Sequence, residues 1–552
     1  MRVLVLTATL ALAAPLGAQQ PADLIVVNAR IYTADATRPL AHALAVRDGT
    51  LLFVGSVRGA EALAGPKTER WDLGGATVIP GMVDAHVHLL GLGQALRIVD
   101  LVGTRSYDEV IARVVERAKT ARPGAWIQGR GWDQNDWTVT RFPTHDALSR
   151  AVPNNPVLLT RVDGHAALVN AKAMELAGLT AQTQDPDGGR IIRDAAGAPT
   201  GVLVDRAQGL VGRVIPADSR DEVKAATLAA IAEANRWGLV GVHDAGEPED
   251  VIAVFEELAK AGQYNLRNYV MVRADEDALD RLMARGPRTA LYGGRLWIRA
   301  IKITADGALG SRGAAMLEDY SDEPGNRGLV TADSGYMRRV AAKALRHGFQ
   351  VNVHAIGDAA NRKVLDIFED ALREVPTADH RFRIEHAQIL NYHDIPRFAE
   401  LDVIPSMQGS HQTSDMYWVP TRIGWNRAQG SYAWRSLLNT GVVIPNGSDF
   451  PVEGVNPLRS FKAFVSRSDT NGYPVGGWFP AQKTTRQEAL LSMTLWPAFA
   501  AFMEDVSGSL TAGKYADFVV LDQDIMTVPE DRILETRVLR TVLGGKAVYQ
   551  RD

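Results

Sequence analysis

The apolar stretch Thr77-Val78-Ile79-Pro80-Gly81-Met82-Val83 runs directly into Asp84-Ala85-His86-Val87-His88. It reads as a buried strand ending in two histidines. Side chains alternate along a strand, so His86 and His88 point the same way. Two imidazoles so placed can bind one metal ion, although an isolated His-x-His pair also occurs as core or solvated histidines. Further strand candidates lie at 239–243, 266–272, 296–303, 350–354, 382–386, 403–407 and 442–447. With the first they make eight, separated by helical stretches, which predicts a parallel (β/α)8 barrel of TIM type. The strand ends of such a barrel open onto its active-site mouth.

The later strand ends repeat the pattern. The strand at 350–354 ends in His354, that at 382–386 in Glu385-His386, and that at 442–447 runs into Ser448-Asp449. Four histidines and an aspartate at matched barrel ends point to a metal site rather than to scattered polar residues. Lys302 joins them, because Ile298, Ala300 and Lys302 share one face of their strand. A buried ammonium beside metal cations is costly. Carbamylation of Lys302 removes the conflict by supplying a carboxylate that bridges two ions. The alternative is an unmodified lysine paired with Asp306 or another acid.

Outside the barrel, residues 22–77 and 506–552 both read as short strands with turns, and neither has enough strands for a core of its own. Pairing them predicts a small β domain built from both termini, with the barrel at 78–505. Between the first and second barrel strands lies a stretch too long for one crossover, which predicts an inserted subdomain over about 90–220. Two more strand candidates, 125–128 and 157–162, fall inside it; the alternative is that one of them belongs to the barrel. Met1-Arg2, the apolar run that follows and the small residues before Gln19 read as an export signal over 1–18. The mature protein is then expected in the periplasm or secreted.

Of the 552 residues, 46% are hydrophobic and 22% charged, with a formal net charge of −4. That balance favours neither nucleic acid nor an anionic membrane surface as a partner. The chain has 0 cysteines, which excludes disulfides, thiolate ligands, a cysteine nucleophile and a lipid-anchored N-terminal cysteine. Any metal must be held by nitrogen and oxygen. The expected partner is a small-molecule substrate; a homo-oligomer stays open.

The assembled stretches resemble the amidohydrolase superfamily, and within it the YtcJ-like branch, amidohydrolase family 3. They include Pro80 to His88, Gly129-Arg130-Gly131-Trp132-Asp133, Asp163-Gly164-His165, Asp306-Gly307-Ala308-Leu309-Gly310-Ser311-Arg312, Glu385-His386-Ala387, Gly447-Ser448-Asp449-Phe450-Pro451-Val452 and Gly508 to Asp517. The resemblance implies that His86, His88 and Asp449 hold the more buried metal. It implies a carbamylated Lys302 bridging to a second metal on His354 and His386, with some relatives binding one ion only. Zinc is the expected ion, since it suits nitrogen and oxygen ligands in a hydrolase.

The expected reaction is hydrolysis of a non-peptide amide or formamide carbon–nitrogen bond by a metal-activated hydroxide, with Asp449 moving the proton. A mononuclear deaminase or cyclic-amide hydrolase is the alternative within the scaffold, and an exported solute-binding protein the alternative outside enzymes. Trp132, Asp133 and His165 in the insertion, and His411 after the seventh strand, are candidate substrate contacts, with core packing the competing role for Trp132. His243 is placed at the end of the second strand, near the mouth, as a supporting residue.

Overall fold

A computed structural model of the chain describes residues 20–161, 166–186, 189–310 and 312–552. The export signal over 1–18, His165 and Ser311 lie outside the described residues.

Eight strands lie side by side in one parallel array. We number them β1 (Met82–Val87), β2 (Leu239–Glu247), β3 (Arg267–Val272), β4 (Leu296–Thr304), β5 (Gln350–Ala355), β6 (Arg383–His386), β7 (Ile404–Gln408) and β8 (Asn446–Gly447). The six pairings from β1 to β7 and the β7–β8 contact are all parallel. The circle closes just past β8, where the Asp449 amide donates to the His86 carbonyl at 2.7 Å and the His88 amide to the Phe450 carbonyl at 2.9 Å. Gly447 makes that seam possible: a Cβ there would sit 2.6 Å from the His86 nitrogen. The Asp84 carboxylate locks the same seam, accepting from the Ser448 amide at 2.9 Å and the Ser448 hydroxyl at 2.6 Å.

The strands are apolar runs buried on both faces, as a sheet wrapped by helices requires. Each helix returns the chain to the next strand. The helix Ser334–His347 is a clear case: Asp333 caps its first turn through the Tyr336 amide, and Gly348, with φ +73°, ends it in the left-handed region before β5.

The stretch at 77–83 is two strands rather than one. Thr77–Pro80 belongs to a sheet of the small β domain, and the barrel strand begins at Met82. The chain passes from one to the other at Gly81, where a Cβ would meet Val240 Cγ2 at 2.3 Å. Thr77–Pro80 pairs antiparallel with Phe518–Leu521, so strands from the two ends of the chain share one six-stranded sheet. A four-stranded sheet of Thr50–Gly55, Ala43–Arg47, Leu24–Val27 and Glu69–Asp72 accompanies it. Leu24, Val26, Ile31, Val78, Phe518, Val520 and Val542 form their common core. The last barrel strand is also shorter than 442–447, because only Asn446–Gly447 pairs with β7.

Residues 89–230, with 253–258, form a second compact unit. Its sheet contains Ile127–Trp132 and Val157–Arg161 as parallel neighbours. Neither candidate strand therefore belongs to the barrel. Its core packs Leu159, Trp132, Trp137 and Leu148. Among the described residues, no helix is long and apolar enough to cross a membrane.

At the N-terminal end of the barrel, β3 is tied to the small β domain by a buried ion pair. Arg267 reaches both oxygens of Asp517 at 2.5 and 2.9 Å, with both side chains 5% exposed. Asp517→Ala leaves the Arg267 guanidinium buried and unpaired, so the variant is expected to lose about 3–5 kcal/mol of stability in chemical denaturation. Adding Arg267→Met should return part of that loss. A single variant as stable as the parent would show that the pair does not hold the two parts together.

Candidate active site

Six side chains meet where the barrel strands end. His86, His88, Lys302, His354, His386 and Asp449 line one cavity of about 190 Å³, with Arg273, Thr304 and the Ala245-Gly246 backbone. Each comes from the C-terminal end of a different strand or the residues just past it, apart from His86 and His88, which share β1. One ligand atom each from His86, His386 and Asp449 lies within 4.8 Å of the others. The His354 and His386 rings are 4.5 Å apart, and the His86 and His88 rings 5.8 Å. The tightest trio thus crosses the grouping that the resemblance implies, taking His386 in place of His88.

The imidazoles are oriented from behind. His86 Nδ1 lies 2.5 Å from Glu385 Oε2, and His386 Nδ1 lies 2.7 Å from Gln408 Oε1. A carboxylate and an amide oxygen can only accept, so both Nδ1 atoms carry the proton and both Nε2 atoms keep a lone pair. Glu385 is fully buried and paired with Arg383, which is also fully buried. Arg383 Nη2 donates to Glu385 Oε2 at 3.1 Å, to the Ala85 carbonyl at 2.7 Å and to Ser406 Oγ at 2.8 Å, and Nη1 donates to His243 Nδ1 at 2.8 Å. Arg383 Nε is 2.7 Å from Glu385 Oε1 but off the hydrogen-bonding direction, so that contact is an ion pair by distance alone. His243 therefore sits mid-strand in β2, below the mouth, and not at the strand end.

Charge at the site follows from burial. Burial, with Lys302 close by, pushes the His86 imidazole down to about 4 and that of His354 to about 3. Burial and the neighbouring His354 hold His386 well below its ordinary value. All three are neutral at pH 7, the form that ligates metal. Burial likewise brings the Lys302 amine down to about 8, against the pull of Glu385 and Asp449. Burial opposes ionisation of Glu385 and Asp449, but it is outweighed. Arg383 and His86 hold Glu385 ionised, and the contact with His88 holds Asp449 ionised.

Lys302 does not pair with Asp306. Its Nζ lies 3.2 Å from His86 Nε2, while the Asp306 carboxylate takes the amides of Ala315, Ile356 and Gly357 at 2.9–3.0 Å. Asp306 thereby supports the loop beneath His354, whose Nε2 is 3.5 Å from its Oδ1. Asp449 Oδ1, although buried, has no aligned hydrogen bond to any protein group; His88 Nε2 is 3.2 Å away and His86 Nε2 3.7 Å. Neutral imidazoles that present Nε2 lone pairs to the cavity, His86 sharing its own with the Lys302 amine, and a carboxylate oxygen without an aligned partner form a nitrogen and oxygen donor set that fits a divalent ion.

His411 also reaches this cluster. Its Nε2 lies 3.9 Å from Asp449 Oδ2, and its ring stacks 6.1 Å from that of His386. Trp132 and Asp133 have other occupations. The Trp132 indole is fully buried in the core of the second unit, donating to the Leu159 carbonyl at 2.7 Å, and Asp133 pairs with Arg161. Glu385, Arg383 and Gln408 were not singled out in the sequence as site residues. The one available signal was a charged pair two residues apart inside an otherwise apolar strand.

The backbone is strained beside this cluster. His386, Ala387 and Asp449 have φ of +75°, +41° and +60°, values that side chains other than glycine adopt only when the surroundings enforce them.

Residues 69–549 match the amidohydrolase family. The chain is 33% identical over 528 residues to the putative amidohydrolase YtcJ of Bacillus subtilis, covering 95% of this chain and 98% of that one. It is 30% identical over 560 residues to the N-substituted formamide deformylase of Arthrobacter pascens, covering 96% and 99%. The crystal structure of a metal-dependent hydrolase from Pyrococcus furiosus superposes with a TM-score of 0.77 at 29% identity, covering 91% of this chain and 100% of that one.

The Glu385 contact can be tested directly. Glu385→Gln keeps the shape but removes the charge that faces His86 and Arg383. Metal affinity, measured by competition with a chelating dye, is expected to fall about 10–100-fold. Affinity equal to that of the parent would mean that Glu385 does not orient His86.

Proposed function

The chain belongs to the amidohydrolase family, and on that premise we propose that it hydrolyses the amide or formamide carbon–nitrogen bond of a small non-peptide molecule. The observation that carries this reading is an ionised carboxylate, Asp449, with one oxygen lacking an aligned protein partner, beside three neutral imidazoles in the cavity at the barrel mouth. The cavity, about 190 Å³, is smaller than the 300–1,000 Å³ usual for whole drug-sized ligands. It suits a compact acyl group such as formyl, with the rest of the substrate outside. The deformylase relative, which acts on N-substituted formamides by its name, supports the same choice.

His86, His88 and Asp449 would hold one divalent ion, with Lys302, His354 and His386 available to a second. When bound, such an ion, which we take to be zinc, lowers the pKa of a water toward neutrality and polarises a carbonyl. The chain's own part is proton handling and positioning. Asp449 stays ionised against the cost of its burial, so it can accept a proton from the attacking water and return it to the departing nitrogen. Glu385 and Gln408 keep His86 and His386 from turning. His411 Nε2, buried and unpartnered beside Asp449, is placed to hydrogen-bond the substrate's polar end.

Lys302 is proposed to be carbamylated. An amine brought down to about 8 becomes substantially neutral at mildly alkaline pH, and only the neutral amine attacks carbon dioxide. The mononuclear reading is supported by the His86, His386 and Asp449 trio, which can hold one ion without Lys302. We also propose that the protein acts outside the cytoplasm, on the strength of the basic and apolar N-terminus.

Three measurements follow. Formate or amine release from a panel of N-substituted formamides, acetamides, cyclic amides and aminopurines, with metal content determined on the same sample, is expected to show formamides as the best substrates. Fully metal-loaded protein that cleaves none of them would refute the reading.

Asp449→Asn is expected to fold and retain at least part of its metal while turnover falls by roughly two to four powers of ten. Full metal with near-parental turnover would remove Asp449 from the chemistry.

Reconstitution of metal-free protein with excess metal should respond to bicarbonate increasingly as pH rises from 7 to 9, because the neutral fraction of Lys302 grows through about 8. Lys302→Ala should abolish that response. A bicarbonate effect that is flat with pH, or that persists in Lys302→Ala, would contradict carbamylation.

A further inference from the structure

The cavity at the barrel mouth contains a permanent cation that the catalytic reading leaves unused. Arg273 follows directly on Val272, the last residue of β3, and lines that cavity. Its amide donates to the Glu247 carbonyl at 3.1 Å, which holds its backbone against the end of β2. Its guanidinium makes no hydrogen bond or ion pair with any of the described residues. Gly246, in β2, leaves room for the side chain to cross the wall. A Cβ there would lie 3.8 Å from both Cβ and Cδ of Arg273 and 3.4 Å from Lys302 Cγ, and Gly246 has φ +100°. The stems of Arg273 and Lys302 therefore flank one spot on the cavity wall. Arg273 is also among the charges that act on the Lys302 amine, so its own charge is carried along the mouth.

The acids nearby do not supply the counter-charge. Asp449 is the one carboxylate among the lining residues, and the reading above commits it to the ion and the proton. Glu247 also feels Arg273, yet no ion pair joins them, and burial together with Asp244 holds the Glu247 carboxyl well above its usual range. Asp275 and Glu276, just beyond in the chain, are engaged elsewhere. Asp275 accepts from the Ala278 amide at 2.8 Å, and Glu276 pairs with Arg339 at 3.0 Å. An ion held by the histidines adds positive charge, and a carbamate on Lys302 would be spent on the ions it bridges. Positive charge at the Arg273 side of the mouth is therefore in surplus with or without metal.

We infer that Arg273 selects the substrate by pairing with a carboxylate on its amine portion, so that the favoured substrates are N-formyl compounds with a carboxylate close to the nitrogen. This inference rests on the formamide reading above. The cavity of about 190 Å³ takes the acyl group, and the substituent on nitrogen then passes the rim, where Arg273 is exposed. A guanidinium fork takes a carboxylate in two parallel hydrogen bonds. One guanidinium balances one negative charge, which suits a carboxylate and not a phosphate dianion.

The test compares kcat/KM of the metal-loaded parent and of Arg273→Gln on N-formylglycine, N-formyl-β-alanine and the neutral N-formylethanolamine. In the parent, the better anionic substrate is expected to exceed the neutral one by about tenfold or more. Arg273→Gln should bring that ratio close to one. Arg273→Lys should keep part of the preference, because the charge remains while the fork is lost. Added salt should erode the preference of the parent but leave the ratio in Arg273→Gln unmoved, a response that loss of packing would not give. Arg273 is exposed, so these changes do not threaten folding. A parent that does not favour the anionic formamides, or a preference that survives in Arg273→Gln, would overturn the role of Arg273 and leave formamide hydrolysis standing. If none of the three is cleaved, the formamide reading fails, and calorimetric titration with the same compounds decides the role of Arg273 separately. Tighter binding of an anionic compound that is lost in Arg273→Gln would support it, and binding unchanged by the substitution would overturn it.

Discussion

The buried Arg383–Glu385–His86 chain is the interaction on which the mouth of the barrel depends. Arg383 and Glu385 are 0% exposed and His86 1%. An ion pair so deep recovers its desolvation cost only with the help of further hydrogen bonds. Arg383 is engaged by a backbone carbonyl, a serine hydroxyl, an imidazole and the carboxylate, which come from β1, β2, β6 and β7. The same guanidinium therefore braces four strands and holds Glu385 ionised. Glu385 in turn fixes the His86 tautomer. A hydrophobic replacement for the pair would pack as well, but it would leave His86 free to turn, so stability alone does not account for it.

From that fixed point the rest of the site follows by proximity. His86 sets the position of Asp449 twice, through the backbone bond that closes the barrel and through the approach of its Nε2 to the carboxylate. Gln408 does for His386 what Glu385 does for His86, using a neutral amide in place of a charge. The difference is economical: one carboxylate already balances Arg383, and a second beside the histidines would repel Asp449. Asp306 plays a third supporting part by gathering three backbone amides below His354. Its burial pushes the carboxyl up to about 6 even so.

Much of this was legible in the sequence. Each of the eight strands could be found as an apolar run, and His86, His88, Lys302, His354, His386 and Asp449 could be placed at strand ends, because a parallel barrel puts those ends at one mouth. Glu385 and Gln408 were harder to read. Strand alternation places Glu385 and His386 on opposite faces, yet both face His86. His386 escapes the alternation because its φ of +75° turns the chain at the strand end, and a sequence carries no mark of that turn. Trp132 shows the converse. Its tryptophan-aspartate motif suggested a substrate contact, whereas its indole is buried and bonded within its own unit.

The sequence by itself determined the fold class, the family and the candidate donor residues, since periodicity, strand-end position and side-chain chemistry are local properties. Only the tertiary structure decided which donors face one another, which nitrogen of each imidazole is free and which groups are charged. Those properties depend on burial and on partners distant in the chain, such as Glu385, 299 residues from His86.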